Sequence, residues 1–238
     1  MQPAEKLRQE LARYHELRQH RQGQGLFRRR LHELQDFQIR RLKHTHAGLI
    51  ADPRYHDATE FFLSDVYGGI DLTSMAREIE RALPLATKLL PDSVLATSAL
   101  ACEIQVLTQA LDEELTDLLF FQRGIKALTV ADYVDGFVAL GNLPLRLRQA
   151  DMVRELGHGL DRYVRSRVIY ATFKIANKPA HRYGLGTLYD FLDRGFKVMR
   201  PMGSAHELFD TMMQAERGIL ERMQAGHPDP FGLGGMDL

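Results

Sequence analysis

An apolar period of three to four residues runs through nearly the whole chain and constrains its fold more than any other feature. Ala4, Leu7, Leu11, Tyr14 and Leu17 step by threes and fours, and no segment shows the strict alternation of a half-buried strand. A chain patterned this way buries its apolar stripes by packing helix on helix. The expected fold class is therefore all-α, a single multi-helix bundle of about nine helices.

Breaks and caps divide the pattern. Gly23 and Gly25 end the first helix near Arg21, and a second runs from Leu26 to about Leu49 with Phe27, Leu31, Leu34 and Leu42 on one side. The two read as an N-terminal αα-hairpin. Asp52-Pro53 is a carboxylate cap followed by proline, predicting a helix to Tyr67 that Gly68-Gly69 stops. Asp71 caps a helix kinked or split by Pro84 and ended by Pro91. Asp92 opens the longest apolar element, Val94 to about Phe120. Its small residues Ala96, Ser98, Ala99, Ala101 and Cys102 permit close neighbours, as a central helix requires. Thr129 and Asp132 have capping-box spacing on a helix closed by Gly141. Asn142 and Pro144 start a long helix predicted to reach Asn177, where Pro179 forbids continuation. Thr187 and Asp190 open a helix to Met199, and Ser204 with Glu207 gives a capping box for the last helix, ending at Gly226. Residues 1–226 read as one domain, with 1–49 a basic helical hairpin packed on it and 227–238 a flexible tail.

Composition narrows the function classes. The single Cys102 rules out an internal disulfide and a cysteine zinc site. We expect no membrane span, because no apolar run reaches roughly 18 residues. No apolar stretch follows a basic start, so no secretory signal is expected and the cytoplasm is the default location. The formal net charge is zero, but residues 1–46 hold 11 Lys/Arg against 5 Asp/Glu and residues 47–142 hold 6 against 15. Residues 143–182 hold 9 against 3, and 183–238 hold 5 against 8. Such blocks suit either a charged partner or docking on one another within the fold. Arg28-Arg29-Arg30, with Arg40, Arg41 and Lys43, could engage a protein partner; few aromatics and overall neutrality speak against nucleic acid.

The densest group of chemically active side chains runs from His56 to Gly69. On a helix His56, Glu60 and Tyr67 share a narrow arc beside Tyr55, Phe62 and Val66. This arrangement fits an acid–base pair or metal ligands lining a pocket, or a helix edge with half-exposed Glu and His. The box Phe61-Phe62-Leu63-Ser64-Asp65-Val66-Tyr67-Gly68 resembles the signature of an uncharacterised bacterial all-α family. So do Phe191-Leu192-Asp193-Arg194-Gly195-Phe196 through Arg200-Pro201-Met202-Gly203, and Glu216-Arg217-Gly218-Ile219-Leu220. That resemblance implies an all-α fold and carries no activity. Leu63 to Gly69 is also similar to the distal-helix motif of haem oxygenases, which implies Asp65, Gly68 and Gly69 facing a haem. A proximal ligand on the first helix, His15 or His20, would lie too close in sequence, so haem is not expected.

Further candidates lie on the long helices. Glu103 flanks the apolar arc of the central helix, and Arg167 shares an apolar face with Met152, Leu156, Leu160 and Tyr163. An unpaired charge at either place is costly, so the two are expected to meet, as a structural ion pair or as a buried site gripping an anion. Glu155 and His158 have the Glu-x-x-His spacing of di-iron bundles, with Glu60 and Glu103 as further carboxylates. The second such pair is missing, and Arg154, Arg162 and Arg165 surround His158, so no metal or other cofactor is expected. Gly157 and Gly159 point to opposite sides of His158: either the helix breaks there, presenting an imidazole beside three arginines to an anion, or two neighbours approach closely. Arg182 with Gly184 and Gly186 precedes a helix start, a second anion-binding candidate.

The leading expectation is a non-catalytic interaction or regulatory protein acting through its basic hairpin. The alternative is a protein or enzyme binding a small anionic ligand near Glu60, Glu103, His158 and Arg167. A closed, concave pocket would favour the second. Oligomeric state is left open.

Overall fold

The computed structural model describes residues 1–20, 25–66 and 73–235. Among these, 83% are helical and none is in a strand. Twelve α-helices follow one another: α1 Pro3–His20, α2 Gly25–Thr45, α3 Ala47–Ala51, α4 His56–Phe61, α5 Thr73–Leu89, α6 Asp92–Thr116, α7 Val130–Leu140, α8 Leu143–Arg165, α9 Arg167–Ile175, α10 Asn177–Arg182, α11 Gly186–Met199 and α12 Ala205–Gln224. Two π-helical turns, Phe62–Val66 and Asp117–Gln122, extend α4 and α6. Far-UV circular dichroism of the purified chain should accordingly show about 80% helix; a distinct strand signal would contradict the fold.

Local chemistry explains why there are more helices than the nine expected. The predicted helix from Pro144 to Asn177 is two, α8 and α9, and α10 starts at Asn177 with Pro179 in its first turn, where proline is tolerated rather than helix-ending. Ser166 takes an extended ψ of 114° and its hydroxyl accepts from the Ile169 amide, restarting the chain as α9. Asp52 does not cap a helix at Pro53. Its carboxylate accepts from the Arg54 amide, its carbonyl accepts from the Tyr55 and His56 amides, and α4 begins only at His56. Other signals act where they were read. Thr129 and Asp132 form a complete capping box, and Gly141 closes α7 at φ 63°. Ser204 caps α12, but the Glu207 carboxylate turns away to Arg54. The predicted cap Asp71 lies outside the described residues.

Helix α6 is central, with α1, α2 and α8 laid against it. The two N-terminal helices correct the expected hairpin, since each docks on α6 rather than chiefly on the other. The stretch Asp92–Gln122 is long and apolar enough to cross a membrane by length and composition, which corrects the run-length reading. Here it is bundled with other helices, and Gln109, Asp112 and Glu113 are buried along it. One apolar cluster lies between α4, α8 and α12 (Phe62, Val153, Leu208, Met212). A second joins α2, α7 and the 117–122 turn (Leu34, Leu119, Phe137), and a third joins α1 to α5 and α6 (Leu7, Leu83, Ala99).

The segment expected to be a flexible tail is folded as far as residue 235. Phe231 and Leu233 are buried in the second cluster, and Asp229 accepts hydrogen bonds from the Leu233 and Gly234 amides. Helix α8 runs unbroken through His158, so the two glycines serve packing. The Phe209 ring of α12 lies on Gly157, and Thr97 of α6 faces Gly159.

Candidate functional site

The residues singled out in the sequence do not converge. Glu103 is held by Lys6 at 2.5 Å and Arg148 at 2.7 Å. Arg167 is exposed at the start of α9, so the expected Glu103–Arg167 pair does not form; the break at Ser166 removes Arg167 from the α8 face on which it was placed. His56 bonds the Ile50 carbonyl through Nδ1 at 2.7 Å. Glu60 pairs with Lys43 at 2.9 Å and Asp65 with Arg194 at 2.7 Å. Tyr67, Gly68 and Gly69 lie outside the described residues, as does the side chain of His20. His15 faces Glu80 at 3.0 Å. Among the described residues no group of three or more His, Cys, Asp or Glu is placed to hold a metal ion.

Both expected anion sites already contain carboxylates of the chain itself. His158 stacks on His206 with ring centroids 4.1 Å apart, and its Nε2 lies 2.9 Å from Asp210. Arg165 lies 3.8 Å from Asp161, whose other oxygen accepts from the Ala205 amide at the start of α12, and Arg154 lies 3.8 Å from Asp151. Arg162 is exposed. At the start of α11 the Leu188 amide donates to buried Glu78, satisfying the helix N-terminus that was expected to hold an anion. Gly184, at φ 69°, accepts from Arg81 through its carbonyl; Gly186 begins α11 and Arg182 is exposed.

A concave site lies elsewhere, where α2, α6, α8 and α12 meet. It is a cavity of about 70 Å³, room for about five waters or one small molecule. Three of these helices supply polar side chains at three- and four-residue spacing, so those of each helix share one face: Gln35 and Gln38 from α2, Gln105, Gln109 and Asp112 from α6, Arg146 and Gln149 from α8. Arg41 of α2 and Glu216 of α12 complete the polar wall, while Leu42, Val66, Ala150 and Met213 supply an apolar one.

Two ion pairs in this wall differ in tightness. Arg41 Nη1 donates to both Glu216 oxygens at 2.6 and 2.5 Å, and His46 Nε2 adds a contact at 3.1 Å. Burial alone would raise the Glu216 carboxyl, but the Arg41 charge and the His46 hydrogen bond outweigh it and hold it at about 2. Asp112, 2% exposed, receives Gln38 Nε2 at 3.1 Å and Arg146 Nη1 at only 3.5 Å. Burial raises its carboxyl above the ordinary range despite the Arg146 charge. The Arg146 side chain is 8% exposed, and its Nε and Nη2 have no hydrogen-bond acceptor among the described residues. Those two groups form one edge of the guanidinium, the edge that grips a pair of oxygens.

Sequence reading missed this cavity although its signal was present. Gln105, Gln109 and Asp112 repeat on one face of the long central helix, and Arg146 and Gln149 do so on α8. Glu103, singled out on α6, lies on the opposite side of that helix, toward Lys6 and Arg148.

An all-helical bundle enclosing a polar cavity at its centre is the class of protein these features define. The chain belongs to the family described as Domain of unknown function (DUF8198), whose model matches residues 16–230. No curated protein and no solved structure matches it.

Proposed function

We propose that this protein binds a small anionic molecule inside the bundle, with Arg146 as the anchor. The observation that carries the reading is the buried Nε–Nη2 edge of Arg146, a residue of the cavity wall, which has no acceptor among the described residues. A buried cationic donor pair left without acceptors is costly, and a carboxylate or similar oxyanion satisfies both groups at once. The surrounding glutamine amides donate and accept, so they accommodate further polar atoms of a ligand.

The basic N-terminal surface supports the interaction-protein reading less well. Arg30 is engaged by Glu33 and the Lys126 carbonyl, Arg41 by Glu216 and Lys43 by Glu60. Much of the positive block is therefore spent on acidic groups of the same chain.

Mass spectrometry of the small molecules released on denaturing purified protein tests the proposal. About one small anion per chain is expected from the wild type and none from Arg146→Gln. A wild type that releases nothing, and whose thermal unfolding does not shift with millimolar acetate, nitrate or phosphate, would sink it.

A further inference from the structure

Resting on that reading, we propose that the ligand is a small monocarboxylate and that a proton from solvent lodges on Asp112 as it binds. Charge balance in the cavity wall sets both the ligand and the proton. The wall contains two compensated pairs, Arg41 with Glu216 and Arg146 with Asp112. Three further titratable groups lie near them. His46 is directed at Glu216, Tyr133 comes from α7, and Glu113, adjacent on α6, accepts from Gln109 Nε2 at 2.7 Å. A carboxylate placed on the Arg146 edge sets a second carboxylate beside buried Asp112 on one guanidinium, and two carboxylates that share a site favour one bound proton between them.

Of the two carboxylates, Asp112 is the one that yields. Glu216 accepts two short bonds from Arg41 and a third contact from His46, whereas Asp112 shares Arg146 at 3.5 Å and is already raised by its burial. The incoming carboxylate competes for the same guanidinium, weakening the interaction that keeps Asp112 ionised. A proton taken from solvent then restores neutrality, and Asp112 becomes a hydrogen-bond donor toward the ligand or a glutamine carbonyl. No bond other than that O–H bond forms or breaks. The same balance selects the ligand. One two-pronged edge and one available proton suit a monoanion, whereas a phosphate dianion would bring two charges. The apolar wall at Leu42, Ala150 and Met213 suits a short organic remainder rather than a fourth oxygen.

Isothermal titration of the intact protein with acetate, in two buffers of different ionisation enthalpy near neutral pH, reads both halves of the proposal. The expected result is uptake of about one proton per acetate, with affinity falling about tenfold for each pH unit of increase, as one linked proton requires. Asp112→Asn should bind acetate without proton uptake or pH dependence, and phosphate should give no binding heat. Acetate binding without proton uptake in the wild type, tighter binding of phosphate, or tighter binding of glycine without uptake would each overturn this inference while leaving Arg146 as the anchor. Absence of heat from all three probes, together with no anion released from the denatured protein, would overturn both readings.

Discussion

Truncating Glu216 to alanine should cost about 3–5 kcal/mol of folding stability, because it takes from the buried Arg41 guanidinium its carboxylate and two short hydrogen bonds. Arg41→Ala should cost a similar amount by stranding the carboxylate. The double variant should lose less than the sum, since each single change already removes the shared interaction. Urea unfolding of the four proteins measures the cycle; additive losses would show that the bonds of 2.5 and 2.6 Å carry little coupling energy. The same pair sets an acid limit. The Glu216 carboxyl sits at about 2 in the fold against an ordinary 4.5, so it binds its proton less readily folded than unfolded. Its contribution is therefore fully present above about pH 4.5 and is lost as pH falls from there toward 2. The shift corresponds to roughly 3 kcal/mol at 1.36 kcal/mol per unit. Stability of the wild type should fall through this window, and Glu216→Gln should be flatter across it.

Gly157→Ala should destabilise the protein by about 1–3 kcal/mol, opposite in sign to what helix propensity alone predicts. An added Cβ would fall 2.1 to 2.7 Å from three atoms of the Phe209 ring. That ring is buried and meets Phe62 edge-on at 5.1 Å, so it has little room to swing aside. Gly159→Ala is the control. Its Cβ would meet Thr97 Oγ1 at 3.4 Å, an ordinary contact, and substitution there should be neutral or gain up to about 1 kcal/mol. Phe209→Leu should recover part of the Gly157→Ala loss by thinning the side chain at the contact. Thermal unfolding of the three single variants and the double separates these effects. A stabilising Gly157→Ala would mean that α8 and α12 can part without penalty.

Particular residues show what was legible in the linear pattern. Thr129, Asp132 and Gly141 predicted both ends of α7, because a cap acts within one turn of itself. The apolar stretch after Asp92 predicted the central helix, and its small residues mark where neighbours come close. The opposite readings of the charge blocks were also resolvable in principle, since basic and acidic segments of one chain attract. The structure shows several such contacts: Lys6 and Arg148 on Glu103, Arg41 on Glu216, Lys43 on Glu60.

The partners themselves were not legible. Glu103 was expected to meet Arg167 because both fall on apolar arcs of the two longest predicted helices, yet one extended residue, Ser166, ends α8 before Arg167 is reached. Gly157 and Gly159 announced close approach without saying what approaches. The cavity escaped notice for the same reason. Gln38, Asp112, Arg146 and Glu216 sit on four different helices, separated by as many as 178 positions, and each alone resembles an ordinary helix-edge residue. The sequence by itself determined the all-α class, both ends of α7 and the family, because helical period and capping depend on interactions within a few residues. Only the tertiary structure decided which polar faces would meet around Arg146, because the crossing and rotation of packed helices depend on the fit of all their side chains together.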